Sequence, residues 1–346
     1  MTVAIAFTVE DSGTPPPCAT CLLDYLPTVS LPIDEQGKSM SAPAKLYKYR
    51  PFSVLSLRMI TEAEVFYAQP KTFNDPLDCN PSFDADIGRL ELEKTLYRLL
   101  LARMPKEDAW KEIDYNRYMS TEYGDYRTEP KVDESLKRNV AYQVEREINQ
   151  QLGVQGVLSF SQTWQSGLMW SHYADEHRGF CIEYDTTDMA HPNLAPVSYR
   201  APRAIKASDL YAWKLGKDEA AKKRVLDTYF YSKSPEWRYE KEWRDITPDH
   251  GLKGVEYRMS AIHFGMRCDR SVMSSIVKLL DDNDDVDIYT VYPRKTTFRL
   301  TRELVDRDEV AALAIREPGF LMFRKFDVSE PSPILAEPAA DDSDPT

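Results

Sequence analysis

Glu240 and Glu242 stand two residues apart in the stretch WRYEKEWRD, Trp237 to Asp245, with Arg244 just beyond them and three aromatic residues interleaved. Alternation along a strand sends Trp237, Tyr239 and Trp243 to one face and Glu240, Glu242 and Arg244 to the other. Two carboxylates about 7 Å apart on one face repel, and an arginine in the same row offsets that repulsion and favours the ionised forms. Such a row can supply acid/base or charge-stabilising groups. It can equally be a solvated charge ladder on an exposed sheet face, and spacing does not separate the two.

Other stretches offer further candidates. In LMWSHYADEH, read as a helix capped by Ser166, Trp170 and Tyr173 are three apart and Tyr173 and His177 four apart, which places them on one side. They could line an aromatic pocket for a planar ligand, or pack the helix onto a sheet. His172 and His177 are five apart and diverge on a helix, so no metal site is expected there. Asn74, Asp75 and Asp78 in FNDPLD bring oxygen atoms to a Pro-punctuated loop, where Asn and Asp serve chiefly as turn formers. Cys18 and Cys21 form a C-x-x-C in PPPCATC, but no second Cys or His pair lies near to complete a zinc site. The sequence contains no P-loop, dinucleotide-binding glycine fingerprint, nucleophile elbow or His-Glu-x-x-His motif.

The elements that must position these residues follow from periodicity. KLYKYR alternates as a strand, with Lys48 and Arg50 on one face and Tyr47 and Tyr49 on the other. A second strand is expected at Val65 to Ala68. Helical spacing marks Arg89 to Met104 and Val132 to Leu152 as a helical insertion over about 86–152. GVLSFSQTW, GFCIEYD, AIHFG, VDIYTVY and TTFRLTREL read as strands, and Asp218 to Tyr231 and RSVMSSIVKLLDD as helices. This order predicts an α+β fold with a mixed or antiparallel sheet and flanking helices. Residues 1–44, rich in Pro, Ser and Thr, are expected to be a flexible leader. Residues 45–328 are expected to form one domain, and 329–346 a disordered tail.

The chain has 346 residues, 56 acidic against 44 basic, with a formal charge of −12. That balance argues against bulk electrostatic attraction to nucleic acid or an anionic membrane, although it leaves room for a local basic groove. Five scattered cysteines fit a reducing compartment better than a disulfide framework. No apolar run is long enough to span a bilayer, and the first residues lack the basic start of a signal peptide, so a soluble cytoplasmic protein is expected.

Taken in order, LYKYR, FNDPLDC, LSFSQTW, LMWSHYADEHRGFCIEYD and YEKEWR resemble a widespread bacterial family of unknown function, over roughly residues 45–300. The layout also resembles, more distantly, the ADP-ribosyltransferase fold, whose chemistry comes from three separated strands. That resemblance implies Arg50 on the first strand, Ser159 and Ser161 centrally, and Glu240 and Glu242 on the later strand. It further implies NAD as a substrate, with Arg50, or Lys48 in its place, on the pyrophosphate. Ser161 would position the nicotinamide ribose, and Trp170 or Tyr173 would stack on the nicotinamide ring. Glu242 would stabilise the oxocarbenium-like transition state and Glu240 would orient or deprotonate the acceptor, with Arg244 beside them, for transfer of ADP-ribose to a macromolecule or cleavage of NAD, activities that would fit a toxin or phage-defence role. The segment between the central serines and Glu240 is longer here than in that pattern, and Pro51 follows Arg50 directly, so that Tyr49 or Lys48 could face the pocket in place of Arg50.

Two rival readings stand beside this one. In the first, Asp75, Asp78, Glu240 and Glu242 hold Mg²⁺ for a phosphodiesterase or nuclease. In the second, the protein is a non-enzymatic module that binds a nucleotide in an aromatic pocket. For the favoured reading no metal is expected.

Overall fold

The protein is described by a computed structural model over residues 42–121, 130–187 and 194–313. Most of the expected leader, including Cys18 and Cys21, and the whole expected tail lie outside the described residues.

The chain begins with β1 (Lys45–Arg50), α1 (Val54–Thr61), β2 (Glu64–Tyr67) and β3 (Ser82–Asp84), then three helices, α2 (Arg89–Leu100), α3 (Lys106–Ser120) and α4 (Pro130–Leu152). Next come β4 (Gly156–Ser161), α5 (Gly167–Tyr173), β5 (Phe180–Asp185), β6 (Ala195–Pro196), β7 (Ala204–Lys206), α6 (Ala207–Lys214) and α7 (Glu219–Phe230). A 3-10 helix at Pro235–Glu240 leads into β8 (Glu242–Thr247). The described part closes with β9 (Gly251–Gly254), β10 (Arg258–Phe264), α8 (Arg270–Leu279), β11 (Asp287–Pro293), β12 (Leu300–Leu304) and α9 (Arg307–Leu313).

Eight strands form one sheet in the order β12-β11-β10-β5-β1-β4-β8-β6. Its pairs are antiparallel except β10 with β11, which run parallel because helix α8 carries the chain back between them. This is the mixed-sheet α+β fold that the element order predicts.

Register assigns every sheet residue to a face. Tyr47 stands opposite both Ser161 and Glu183, and Ser161 stands opposite Glu242. These residues therefore share one face with Tyr49, Ser159, Cys181, Arg244 and His263. The other face carries Leu46, Phe160, Phe180, Ile182, Tyr184, Trp243 and Ile262, packed against Met59 of α1 and Ile276 and Val277 of α8.

Two apolar layers cover the first face. Helices α2, α3, α4, α6 and α7 pack over its β4–β8 end on Val157 and Ile246. Met169, Trp170 and Ala174, from α5 and the residue just past it, pack over Tyr49, Cys181, Val291 and Leu300. In α4 the buried residues Leu136, Val140, Val144, Ile148 and Leu152 recur every fourth position, the stripe that its sequence displays. Helix α3 lies within what reads from sequence as connection. It buries only Ala109, Ile113 and Asn116 and leaves Trp110, Tyr115, Tyr118 and Met119 exposed, so the apolar residues of its sequence are not confined to the narrow face that it buries.

Two local readings need correction. Trp237 to Glu240 are not strand. Pro235 opens a 3-10 turn, Trp237 N–H donates to Ser234 O, and Lys241 takes the left-handed conformation at φ 46° before β8 starts. Trp243 therefore buries on the α1/α8 side, whereas Tyr239 packs on the α5 side with Trp237 5.9 Å away. Helix α5 stops at Tyr173, and Asp175, Glu176 and His177 all have positive φ. His177 thus folds back to stack on Trp170 at 5.9 Å and is not the helical i+4 partner of Tyr173. Gly179 ends this turn because a side chain there would collide with the carbonyl oxygen of Arg50.

Candidate functional site

The seam between the two apolar layers holds five charged side chains with almost no solvent contact. Lys233, in the link after α7, places its ammonium 2.5 Å from Glu240 Oε2, 2.9 Å from Glu242 Oε2 and 3.2 Å from Asp78 Oδ2. Arg244 donates through Nε to Glu242 Oε1 at 2.8 Å and through Nη2 to Asp78 Oδ2 at 2.6 Å. Its Nη1 reaches Phe230 O at 2.6 Å and Cys79 Sγ at 3.2 Å. Arg244 is completely buried, and each of the other four side chains is about 6% exposed or less.

Neighbouring elements fix this arrangement. Ser161 Oγ donates to the backbone carbonyl of Glu240 at 2.7 Å, and the amide of Glu242 donates to the Tyr199 hydroxyl at 2.9 Å. Tyr173, at the end of α5, donates to Glu240 Oε1 at 2.6 Å. Glu240 and Glu242 thus share a face as alternation predicts, but through the left-handed Lys241 and not through the pleat of one strand.

The two glutamates meet different fields. Burial raises the pKa of Glu240, and the adjacent Glu242 charge raises it further, against the pull of Lys233. Burial also opposes ionisation of Glu242, but Arg244 and Lys233 outweigh it and hold its carboxyl far below the usual range. Burial opposes the charge on Lys233 as well, but Glu242, Asp78 and Glu240 together outweigh it, so the ammonium keeps its proton. The two neighbouring carboxyls are thus shifted in opposite directions, Glu242 down and Glu240 up.

The other expected residues fall in different places. Arg50 and Lys48 pair with Phe180 and Ile182 and so lie on the opposite face of the sheet from Ser161 and Glu242. Lys48 donates to Ser159 O at 2.5 Å, and burial depresses its pKa; the Nε of Arg50 is buried without a partner. Strand alternation moves both as a pair, and the β1–β4 register turns Tyr47 and Tyr49 toward the site in their place. Trp170 cannot stack on a ligand, because it is fully buried between the edge of Tyr49 at 5.1 Å and His177, with its indole N–H on Trp164 O. Asp75 accepts from Leu77 N–H at 2.9 Å, the expected turn role, and exposed Asn74 bonds to the Tyr173 hydroxyl. Asp78 is not merely a loop residue, since it joins the buried cluster.

Sequence reasoning missed Lys233 and Tyr199. Lys233 sits in an unpatterned link, and its only signal is a position seven residues before Glu240.

A cleft of about 570 Å³ opens beside the cluster. It is bounded by the 163–166 loop, by Tyr239 and Lys241 on either side of Glu240, and by Arg294, Phe298 and Arg299 of the β11–β12 hairpin. Among the described residues the side chains of Lys241, Arg294 and Arg299 make no ion pair or hydrogen bond, and no acidic residue lines the cleft. A larger cavity, about 630 Å³, lies between β6–β7 and α7, but Lys223 and Arg224 there are already paired with Asp227 and Asp209.

Among the described residues no group of three or more His, Cys, Asp or Glu is arranged to hold a metal ion, and no helix is long and apolar enough to cross a membrane. No curated protein and no solved structure matches the chain. LYKYR, FNDPLDC and LSFSQTW lie outside the family match, whereas YEKEWR and, from Met169 on, LMWSHYADEHRGFCIEYD lie within it. Residues 169–244, from α5 through Lys233 and the two glutamates to Arg244, match a family described as a protein of unknown function (DUF2971).

Proposed function

We propose that the protein is a nucleotide-binding module whose ligand sits in the cleft between Tyr239–Lys241 and the β11–β12 hairpin. The observation that carries this reading is three cations with no ion pair or side-chain hydrogen bond among the described residues, beside two aromatic rings in one cleft of a chain with net charge −12. Lys241, Arg294 and Arg299 take the phosphates by charge-assisted hydrogen bonds, and Tyr239 and Phe298 offer faces to a planar base. These residues replace Arg50, Lys48 and Trp170 as the ligand-holding set.

A second reading, cleavage of NAD or transfer of its ADP-ribose, is favoured by the divergent environments of Glu240 and Glu242. The bond between the nicotinamide nitrogen and ribose C1′ breaks, and its electron pair leaves on nicotinamide. A lone pair on the acceptor oxygen or nitrogen bonds to C1′, and the acceptor proton passes to Glu240. Both oxygens of Glu242 are held by Arg244 and Lys233, so its part is to fix those cations around Glu240. The Mg²⁺ reading gains nothing comparable. Asp78, Glu240 and Glu242 do converge, but on Lys233 and Arg244, and Asp75 is engaged in its turn.

Calorimetric titration of the full chain with AMP, ADP and NAD tests the binding reading. Saturable binding that K241A and R294A/R299A weaken about tenfold or more is expected, which corresponds to ~1.4 kcal/mol. Absence of binding up to millimolar nucleotide, or binding indifferent to those substitutions, would sink it. For the second reading, E240Q is expected to keep NAD affinity and lose nicotinamide release; release that persists in E240Q removes Glu240 from the chemistry.

A further inference from the structure

The cation–aromatic surface does not stop at the cleft. Leu300 lines the cleft, and Arg302, two residues along β12, projects from the same strand face. Its guanidinium lies 4.0 Å from the ring centroid of Tyr289 and 5.3 Å from that of Trp164. One nitrogen, Nη1, is anchored 3.1 Å from Glu183 Oε2, while the side chain as a whole remains 30% exposed. Trp164 sits between cleft residues Thr163 and Gln165, and Trp164 and Tyr289 stack on buried His263 at 5.5 and 5.2 Å. Glu183 also accepts from Ser260 at 3.0 Å and pairs with Lys45 at 3.3 Å, so the base of this shelf is tied to three strands.

At the other end of the hairpin, Phe298 is fully in solvent and Lys295 is exposed, and Lys295 makes no side-chain ion pair or hydrogen bond among the described residues. Cations at 241, 294 and 299 thus share the cleft with rings at 239 and 298, Lys295 follows Arg294 in the exposed turn, and Arg302 lies against the rings of Tyr289 and Trp164, the latter next to cleft residues Thr163 and Gln165. A single nucleotide engages only the cleft part of this surface. Cations that track a backbone, interleaved with rings on which successive bases stack, are the requirements for binding a single strand without sequence preference. The overall acidity of the chain confines that attraction to this edge.

We propose that the cleft nucleotide is one unit of a single-stranded nucleic acid that continues along the β11–β12 hairpin, from Lys295 and Phe298 past Arg302, Tyr289 and Trp164. The proposal rests on the nucleotide reading of the cleft.

The test is fluorescence anisotropy of the full chain with a fluorescein-labelled 12-mer, as RNA and as DNA, competed by unlabelled mono-, tri- and hexanucleotides. Affinity is expected to rise at least about tenfold from mononucleotide to 12-mer. It should fall roughly 20- to 50-fold between 50 and 200 mM salt, as three to four phosphate contacts to a single strand require. K295E lies outside the cleft lining on an exposed turn and should weaken the 12-mer about fivefold while leaving the mononucleotide unchanged. R302Q should weaken the 12-mer similarly. Mononucleotide binding with no gain in affinity with length overturns this proposal and leaves the cleft reading standing; loss of both overturns both. Equal binding of duplex, equal competition by poly-glutamate of matching charge, or an unaffected K295E would also overturn it.

Discussion

Glu242 is the anion that both buried cations share, and removing its charge leaves Arg244 with Asp78 alone and Lys233 with Asp78 and Glu240. Breaking one member of a buried pair costs about 3–5 kcal/mol, because the partner loses its compensation. E242Q is expected to lose stability of that order in urea denaturation at pH 7. The folded pKa of Glu242 is depressed, so its contribution is complete above the unfolded value of about 4.3 and is lost as the pH falls below it. The gap between wild type and E242Q should therefore narrow below about pH 4, and a gap independent of pH would contradict the ion-pair account. Glu240 has the opposite sign. Its folded pKa is raised, so its ionisation opposes folding as the pH rises from the unfolded value through the folded one. Tyr173→Phe removes a donor to the Glu240 carboxylate, which should raise its pKa further, read by carbon NMR of labelled glutamate side chains. No upward movement would mean that Tyr173 does not set the proton affinity of Glu240.

The junction between the 3-10 helix and β8 brings Glu240 to the same ammonium as Glu242, and Lys241 supplies the turn at φ 46°. A β-branched residue there costs about 1–3 kcal/mol, whereas glycine adopts the conformation freely. Lys241→Val should lower the melting temperature and Lys241→Gly should not, while both lose the cleft cation; equal melting temperatures would show that the turn is not a constraint. This junction also marks what periodicity can disclose. The sheet strands are legible because β-branched and aromatic runs mark them, and α4 because its apolar residues repeat every fourth position. Alternation correctly keeps Lys48 with Arg50, but the face they meet depends on the pairing of β1 with β4, a long-range register that no local pattern encodes. Glu240, Glu242 and Arg244 are legible as a charged set. Asp78 is legible beside the glutamates only as an oxygen ligand in the Mg²⁺ reading, and Lys233 is not legible at all, because the two meet from a turn and an unpatterned link 155 positions apart (233 − 78 = 155).

Across the whole molecule, one face of the eight-stranded sheet is sealed by α1 and α8 and carries no open site among the features described above, while the other is covered by two separate layers. The seam between those layers is where charge is buried, and the cleft opens beside it. Net charge −12 repels nucleotides in general, so binding depends on the local cations and should weaken with salt. Placement of the ligand is the central claim, and photo-cross-linking with 8-azido-ADP followed by peptide mapping tests it most directly. Labelling of Tyr239 or Phe298, abolished by R294E/R299E, is the predicted result. Labelling instead of the larger cavity around Ser198, Thr228 and Tyr231, undiminished by R294E/R299E, would contradict it.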